Sequence, residues 1–294
     1  MQHLHFAIAL TLFVGCENSE HPATSPTPPT PAAVAPIVEP TATKNSISLL
    51  GWNVESNGND PETIAAQLKE FADVDIFCLS EVHPKSLETY RSAVPAGFKS
   101  ASTKTGGGDR LQILFDANRF ELLEEKELHT YREHELNNKG NYRSPLYVRL
   151  KDTLSGVELI VMTNHLARGK AEIRNRQAIG LREWARDQDV AVINVGDFNL
   201  DYHYQQQKGN EAFGEMIRDN VWHWVKPIEP IDSNWADRDE DGKDDYPGSV
   251  LDFAFIAGPA KKWNAVSKIV VRDGDFPDDD KTSDHRPVEL VIQP

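Results

Sequence analysis

Polar residues suited to hydrolytic chemistry stand at the ends of short apolar runs in this 294-residue chain. Asn53 and Glu55 close ISLLGWNV, Glu81 closes VDIFCLS, and Asn164-His165 follow LIVMT. Asp197 and Asn199 end VINVGDFN, Asp252 lies within SVLDFAF, and Asp284-His285 precede the final run. Carboxylate and amide oxygens are hard ligands that suit Mg²⁺ or a similar ion. Two histidines add acid–base capacity near neutral pH. Each residue alone has a plainer reading: a capping Asp, a hydrogen-bonded surface His, an Asx turn at GDFN. Their joint occurrence points to one site, because rigid strand ends can deliver side chains to a shared point.

The elements needed to position them are legible. From Ile47 onward short apolar runs alternate with helical patterns. Asp60-Pro61 reads as an N-cap followed by Pro at the first helical position, with Ile64, Leu68 and Phe71 at helical spacing. Further strands are expected at Leu111–Phe115, Leu146–Leu150, Leu159–Thr163, Val190–Val195, Val250–Ile256, Ile269–Val271 and Val288–Ile292. A second helix is expected over about Lys170–Arg186, with Ala178, Leu181 and Ala185 on one face. Many strands with few intervening helices argue against a doubly wound parallel sheet and suit two packed mixed sheets with helices outside.

Hydrophobic residues at 39 % and charged residues at 26 % describe a globular chain with ample core material. The formal net charge of −15 disfavours loose, charge-driven binding of polyanions. It does not exclude a nuclease, because bound divalent cations change the local sign. Of the two cysteines, Cys78 lies in an apolar run and reads as a small core residue.

The first residues carry a different message. FAIALTLFV, residues 6–14, is too short to span a bilayer and fits the apolar region of a signal peptide. Gly15-Cys16 follows and resembles a bacterial lipobox, so residues 1–16 are expected to direct export and Cys16 to be lipidated. Phe13 stands where Leu is usual, and an ordinary secretory signal is the alternative. Residues 17–44 hold seven of the 18 prolines and read as a disordered Pro/Ser/Thr-rich tether. A catalytic domain over residues 45–294 would then stand off a membrane or be released as a periplasmic or secreted protein.

A second candidate metal site lies at Asp237, Asp239 and Asp241-Gly242, spaced D-x-D-x-D-G, with Asp245 beyond. This resembles the first two-thirds of a calcium loop, with the Lys243 carbonyl at the backbone-ligand position. The twelfth position is Gly248 rather than Glu, and a solvated acidic loop is the alternative. A structural Ca²⁺ is expected here. The acidic run 278–280 lacks that spacing and is expected to be solvated.

The ordered segments GWNVE, LSEVH, TNHL, GDFN, LDFAF and SDHRPV resemble the endonuclease/exonuclease/phosphatase family over about residues 46–294. The family includes deoxyribonuclease I, abasic-site endonucleases, sphingomyelinases and inositol-phosphate 5-phosphatases. The resemblance implies a four-layer α/β/β/α sandwich with the site at one end of the two sheets. It implies that Glu81, Asn53 and Asp284 hold the catalytic Mg²⁺ or Mn²⁺. Asp197 and Asn199 match the pair that handles the attacking water and the phosphate. His285 matches the His oriented by Asp252, and His165 matches the second catalytic His. Arg143 and Asn164 match phosphate-binding positions, and Asp109 matches a carboxylate that orients His165. Arg168, Lys170, Arg174 and Arg176 follow TNHL and either meet a phosphorylated substrate or form a solvated helix face.

The expected function is an exported, monomeric, metal-dependent phosphoesterase. Its substrate is a phosphate ester: nucleic acid, phospholipid head group or small molecule. A nuclease and a sphingomyelinase- or inositol-phosphatase-like enzyme remain open. A non-catalytic binding module on the same fold is disfavoured because no metal ligand or His is missing. A calcium-stabilised adhesion protein would leave GDFN and SDHRP unexplained.

Overall fold

A computed structural model describes residues 45–55, 58–276 and 281–294. The expected signal peptide, Cys16, the tether and the acidic run 278–280 lie outside the described residues. Among the described residues no helix is long and apolar enough to cross a membrane.

The first half of the domain contains β1 (Ile47–Asn53), α1 (Pro61–Leu68), β2 (Ile76–Val82), α2 (Leu87–Ala93), β3 (Phe98–Ser102) and β4 (Arg110–Asp116). Then come β5 (Phe120–Glu127), the short hairpin β6 (Thr130–Tyr131) and β7 (His134–Glu135), β8 (Leu146–Asp152) and β9 (Glu158–Thr163). The remainder is α3 (Ala171–Arg186), β10 (Ala191–His203), α4 (Glu211–Ile217), β11 (Trp222–Trp224), β12 (Ser249–Ala257), β13 (Asn264–Ile269) and β14 (Val288–Gln293). The strands form two six-stranded sheets, β13-β14-β1-β2-β4-β3 and β11-β12-β10-β9-β8-β5. Both are mixed: β1 pairs parallel with β2 and β9 parallel with β10, while their other neighbours are antiparallel.

Alternation along the strands explains the layering. In β1, Ile47 and Leu49 point into the core between the sheets, while Leu50 and Trp52 point to the outer face. That outer face packs with Ile64 and Leu68 of α1 and Tyr90 of α2. Ile160, Met162 and Phe255 on the outer face of the second sheet pack with Leu181 of α3 and Met216 of α4. The result is the expected α/β/β/α sandwich. Each fully buried Leu or Ile stabilises it by roughly 1.5–3 kcal/mol. At Gly51 the sheets approach so closely that an added Cβ would lie 2.4 Å from Val195 Cγ1.

The start of α1 agrees with its sequence signal. Asp60 caps α1 by accepting from the Glu62 N–H at 3.2 Å, and α1 gives way to a tighter turn at Lys69–Phe71. The last strands differ from expectation. Residues Val270 and Val271 lie beyond β13, whose six residues instead begin at Asn264 and pair antiparallel with β14. The strand expected at Val190–Val195 continues to His203 through a register shift between Asp197 and Tyr202.

Opposite the strand ends that carry the polar residues, Arg119 ties the two sheets together. Its guanidinium meets Asp75 at 3.0 Å, Asp152 at 3.1 Å and the Ser46 carbonyl at 2.7 Å. Asp75 precedes β2 and Ser46 precedes β1, whereas Asp152 ends β8 of the other sheet.

Candidate active site

The parallel strands β1 and β2 run toward the same end of the molecule, so Asn53 and Glu81 emerge together. Glu81 sits where the β2–β4 register slips, with a left-handed backbone at φ 55°. Asn199 lies in the register shift of β10, at φ 52°. Such bulges re-aim side chains, and non-glycine residues at positive φ concentrate where function demands the strain. Glu55, at φ 42°, lies on the same rim.

Asp197 is the centre of the arrangement. Its Oδ2 lies 3.0 Å from Asn53 Nδ2, 3.3 Å from His165 Nε2 and 3.9 Å from His285 Nε2. Its Oδ1 accepts the Asn199 N–H at 2.9 Å, an Asx turn that fixes the GDFN loop. Burial alone would raise its pKa, but the two imidazoles and the Asn53 amide outweigh burial and lower it below the usual carboxylate range. Asp197 is therefore held ionised.

His285 belongs to a buried chain of bonds. Its Nδ1 lies 2.8 Å from Asp252 Oδ2, which also accepts from Ser233 Oγ at 2.8 Å. Trp52 Nε1 donates to the His285 carbonyl at 2.9 Å, and Ser283 Oγ donates to the Asn53 carbonyl at 2.6 Å. The SDHRP segment is thus pinned to the end of β1. Burial disfavours the imidazolium, yet Asp252, Asp284 and Asp197 raise the His285 pKa well above its ordinary value. Burial pushes Asp252 up to about 6, so at neutral pH the two form an ion pair.

His165 closes the other side. Its Nδ1 is 3.5 Å from Asp109 Oδ1 and 3.6 Å from Glu81 Oε1. Asp109 in turn pairs with Arg143. Burial opposes its ionisation, and His165 and Arg143 together pull its pKa below the ordinary range. Arg143 lines the cleft; its Nη2 approaches the Leu166 carbonyl at 3.5 Å.

A cleft of about 310 Å³ opens over these groups, lined by Glu81, Arg143, His165, Asp197, Asn199, Asp284 and His285 among others. Asn164 does not line it. That side chain is buried, with Nδ2 3.4 Å from the Asp197 carbonyl. Asp252 stands behind His285, fully buried. Asn53 donates to Glu81 Oε1 and Asp197 Oδ2, each at 3.0 Å, while its Oδ1 accepts the Glu55 N–H at 3.0 Å.

The donor set fits a hard divalent cation. Glu81, His165 and Asp197 present ligand atoms within 4.8 Å of one another. Asp284 Oδ1 is buried without a hydrogen-bond partner. Burial first, and then the Asp284 charge, raises Glu55 to about 7; burial, with Glu81 and Asp197, raises Asp284. Carboxylates crowded to this degree are what a bound cation relieves.

The model of the Endonuclease/Exonuclease/phosphatase family matches residues 50–285. The chain belongs to this family. Its fold is that of solved family structures at low sequence identity. The mannosyl-6-phosphatase of Bacteroides thetaiotaomicron is 17 % identical with a TM-score of 0.62, covering 84 % of this chain and 99 % of that one. The catalytic domain of human Nocturnin with bound sulfate is 15 % identical with a TM-score of 0.60, covering 86 % and 96 %. D. rerio TDP2 complexed with a single-strand DNA product is 16 % identical with a TM-score of 0.65, covering 85 % and 100 %. No curated protein matches the chain. Family membership indicates a hydrolase of phosphate esters.

Several residues of the site escaped the sequence reading. Asn234, Trp235 and Arg238 line the cleft from the loop before β12, and Ser233 supports Asp252. No strand or helix pattern marks that loop. Arg174, left open between phosphate contact and solvent, is buried and donates to the Ala167 and Arg168 carbonyls at 2.9 and 2.7 Å. In the acidic loop the carboxylates of Asp237, Asp239 and Asp241 gather within 4.8 Å. Asp245 instead accepts the Arg238 N–H at 2.9 Å, and Lys243 Nζ pairs with Asp241 at 2.6 Å.

Proposed function

We propose that the protein is an exported phosphoesterase that uses a divalent metal ion to hydrolyse phosphate ester bonds. The observation that carries this reading is the placement of Asp197 between His165 and His285, 3.3 and 3.9 Å away. A carboxylate so placed accepts a proton from the attacking water. The Asn199 N–H fixes its orientation. His285, protonated against Asp252, donates to a phosphoryl oxygen as negative charge develops. His165, backed by Asp109, serves the opposite side of the phosphate, and Arg143 adds a guanidinium at the cleft wall. Glu81, Asp284 and Asn53 would hold Mg²⁺ or Mn²⁺. When bound, the cation supplies positive charge to the reacting phosphate.

The test is an assay panel: duplex DNA, RNA, a bis-aryl phosphodiester, sphingomyelin and inositol phosphates. Hydrolysis of at least one is expected in Mg²⁺, lost in chelator and restored by Mg²⁺ or Mn²⁺. Full activity in a verified metal-free preparation would sink the mechanism. The panel also separates nuclease from lipid or small-molecule phosphoesterase. For export, membrane fractionation should find the protein anchored, and Cys16→Ser should release it or leave it unprocessed. A cytoplasmic protein that retains its first Met contradicts export. A structural Ca²⁺ in the acidic loop is part of the proposal, supported by the gathered carboxylates of Asp237, Asp239 and Asp241.

A further inference from the structure

We propose that a bay beside the catalytic cleft, framed by Arg168, Arg238 and Tyr246, binds a second phosphate group of the substrate. This rests on the phosphoesterase reading and concerns the part of the substrate that does not react. The bay encloses about 420 Å³. It shares Arg168, Gly169 and Arg238 with the catalytic cleft, so the two are continuous.

The two guanidinium groups converge on one ring. Arg168 Cζ lies 5.4 Å and Arg238 Cζ 5.2 Å from the Tyr246 centroid. Arg238 stands in an acidic stretch of the chain, between Asp237 and Asp239. Yet among the described residues no carboxylate lies within ion-pair reach of its side chain; it turns to Tyr246 and the bay. A guanidinium left unpaired beside so many carboxylates is available to an external anion.

Arg168 is held in advance. Its Nη1 donates to Asn199 Oδ1 at 3.0 Å and Asp201 Oδ1 at 3.1 Å, and its carbonyl accepts from buried Arg174 at 2.7 Å. These bonds engage one of its two terminal nitrogens and neutralise Asp201. Because Asn199 is shared, a phosphate on Arg168 would sit beside the reacting one. Planar guanidinium forks match phosphate oxygens two at a time. In a chain of net charge −15 such a local pair is needed to keep a doubly phosphorylated substrate from being repelled.

The test compares matched ligands on the full-length protein, by equilibrium titration in buffer with Ca²⁺ and without Mg²⁺ or Mn²⁺. Thymidine 3′,5′-bisphosphate is set against thymidine 5′-monophosphate, and fructose 1,6-bisphosphate against fructose 6-phosphate. In at least one pair the bisphosphate should bind ~10-fold more tightly, the gain of one charge-assisted contact. Arg238→Ala should erase that advantage, weakening the bisphosphate ~10-fold more than the monophosphate at an unchanged melting temperature, and Arg238→Lys should keep part of it. An advantage confined to the nucleotide pair marks a nucleic-acid chain as the source; one seen in both pairs marks free bisphosphates. Equal affinities within both pairs, equal weakening of both members by Arg238→Ala, or no binding at all would overturn the proposal. Failure of the phosphoesterase reading looks different: bisphosphate selectivity persists while no phosphate ester is hydrolysed in Mg²⁺.

Discussion

Asn53 Nδ2 lies 3.0 Å from Asp197 Oδ2, and this bond joins the end of one sheet to the end of the other. The same nitrogen holds Glu81 Oε1 at 3.0 Å. One amide thus sets the distance between Glu81 and Asp197, the groups proposed to hold the metal and to take the water proton. Asn53→Ala should leave two buried or half-buried carboxylates without this donor and lower turnover more than it raises KM. An unchanged turnover number for Asn53→Ala would remove the Asn from the mechanism.

The histidines should be separable from the fold. His165→Ala or His285→Ala should each cut turnover by at least ~10²-fold, the usual cost of losing general acid–base help. Circular dichroism and the melting temperature should change little. Near-normal rates in both variants would show that the site assignment is wrong.

Stability is expected to depend on the opposite end of the sandwich. Arg119 is one-tenth exposed and compensates the fully buried Asp152. Burial opposes ionisation of Asp152, and Arg119 with Ser155 holds its pKa below the usual carboxylate range. Its contribution is therefore present above the ordinary carboxylate pKa and is lost as pH falls from there through the depressed folded value. Arg119→Ala should cost on the order of 3 kcal/mol or more in urea unfolding, because a buried charge loses its partner. Specific activity of the folded fraction should stay near wild type. A stable variant would make the cluster decorative.

Cys78 provides a second pH test. Burial pushes its thiol pKa up. The unfolded chain ionises at the ordinary thiol value of about 8.5 while the folded chain does not. Stability is therefore independent of this thiol below that pH and falls as pH rises above it. A thiol reagent should leave the Cys78 peptide unlabelled in the native protein at pH 9 and label it in denaturant, as read by mass spectrometry. Rapid native labelling would mean that the inter-sheet core opens.

The acidic loop should respond to calcium. Asp237, Asp239 and Asp241 repel one another when ionised, and a bound ion stabilises the native state as its concentration rises. Melting curves should shift upward with Ca²⁺, and Asp239→Asn with Asp241→Asn should abolish the shift while lowering turnover less. An absent shift in wild type leaves an ordinary solvated loop.

The sequence was most readable where apolar strands end in polar pairs. GDFN and SDHRP revealed their contents because an apolar run ends at the first and another begins just after the second. It was least readable where exposure hides the pattern. FELLEEKE of β5 buries Phe120 but exposes the following Glu and Leu residues, so the edge strand shows no alternation. Trp235 and Arg238 reach the cleft only because the loop from Pro227 to Ser249 returns over it, a long-range event without local signature. Arg119 was equally silent, since nothing local distinguishes a buried arginine from a solvated one.

Neither sheet alone holds the candidate site. Asn53, Glu81 and the segment bearing Asp284 and His285 belong with the first, and Asp197, Asn199 and Asp252 with the second. A chain that has folded only one sheet holds half of the groups and repulsive carboxylates without their partners. During refolding, activity should therefore return with the slowest sheet-docking event and not with secondary structure. Turnover becomes a clock for assembly, and any lag behind the circular-dichroism signal measures the life of an undocked intermediate.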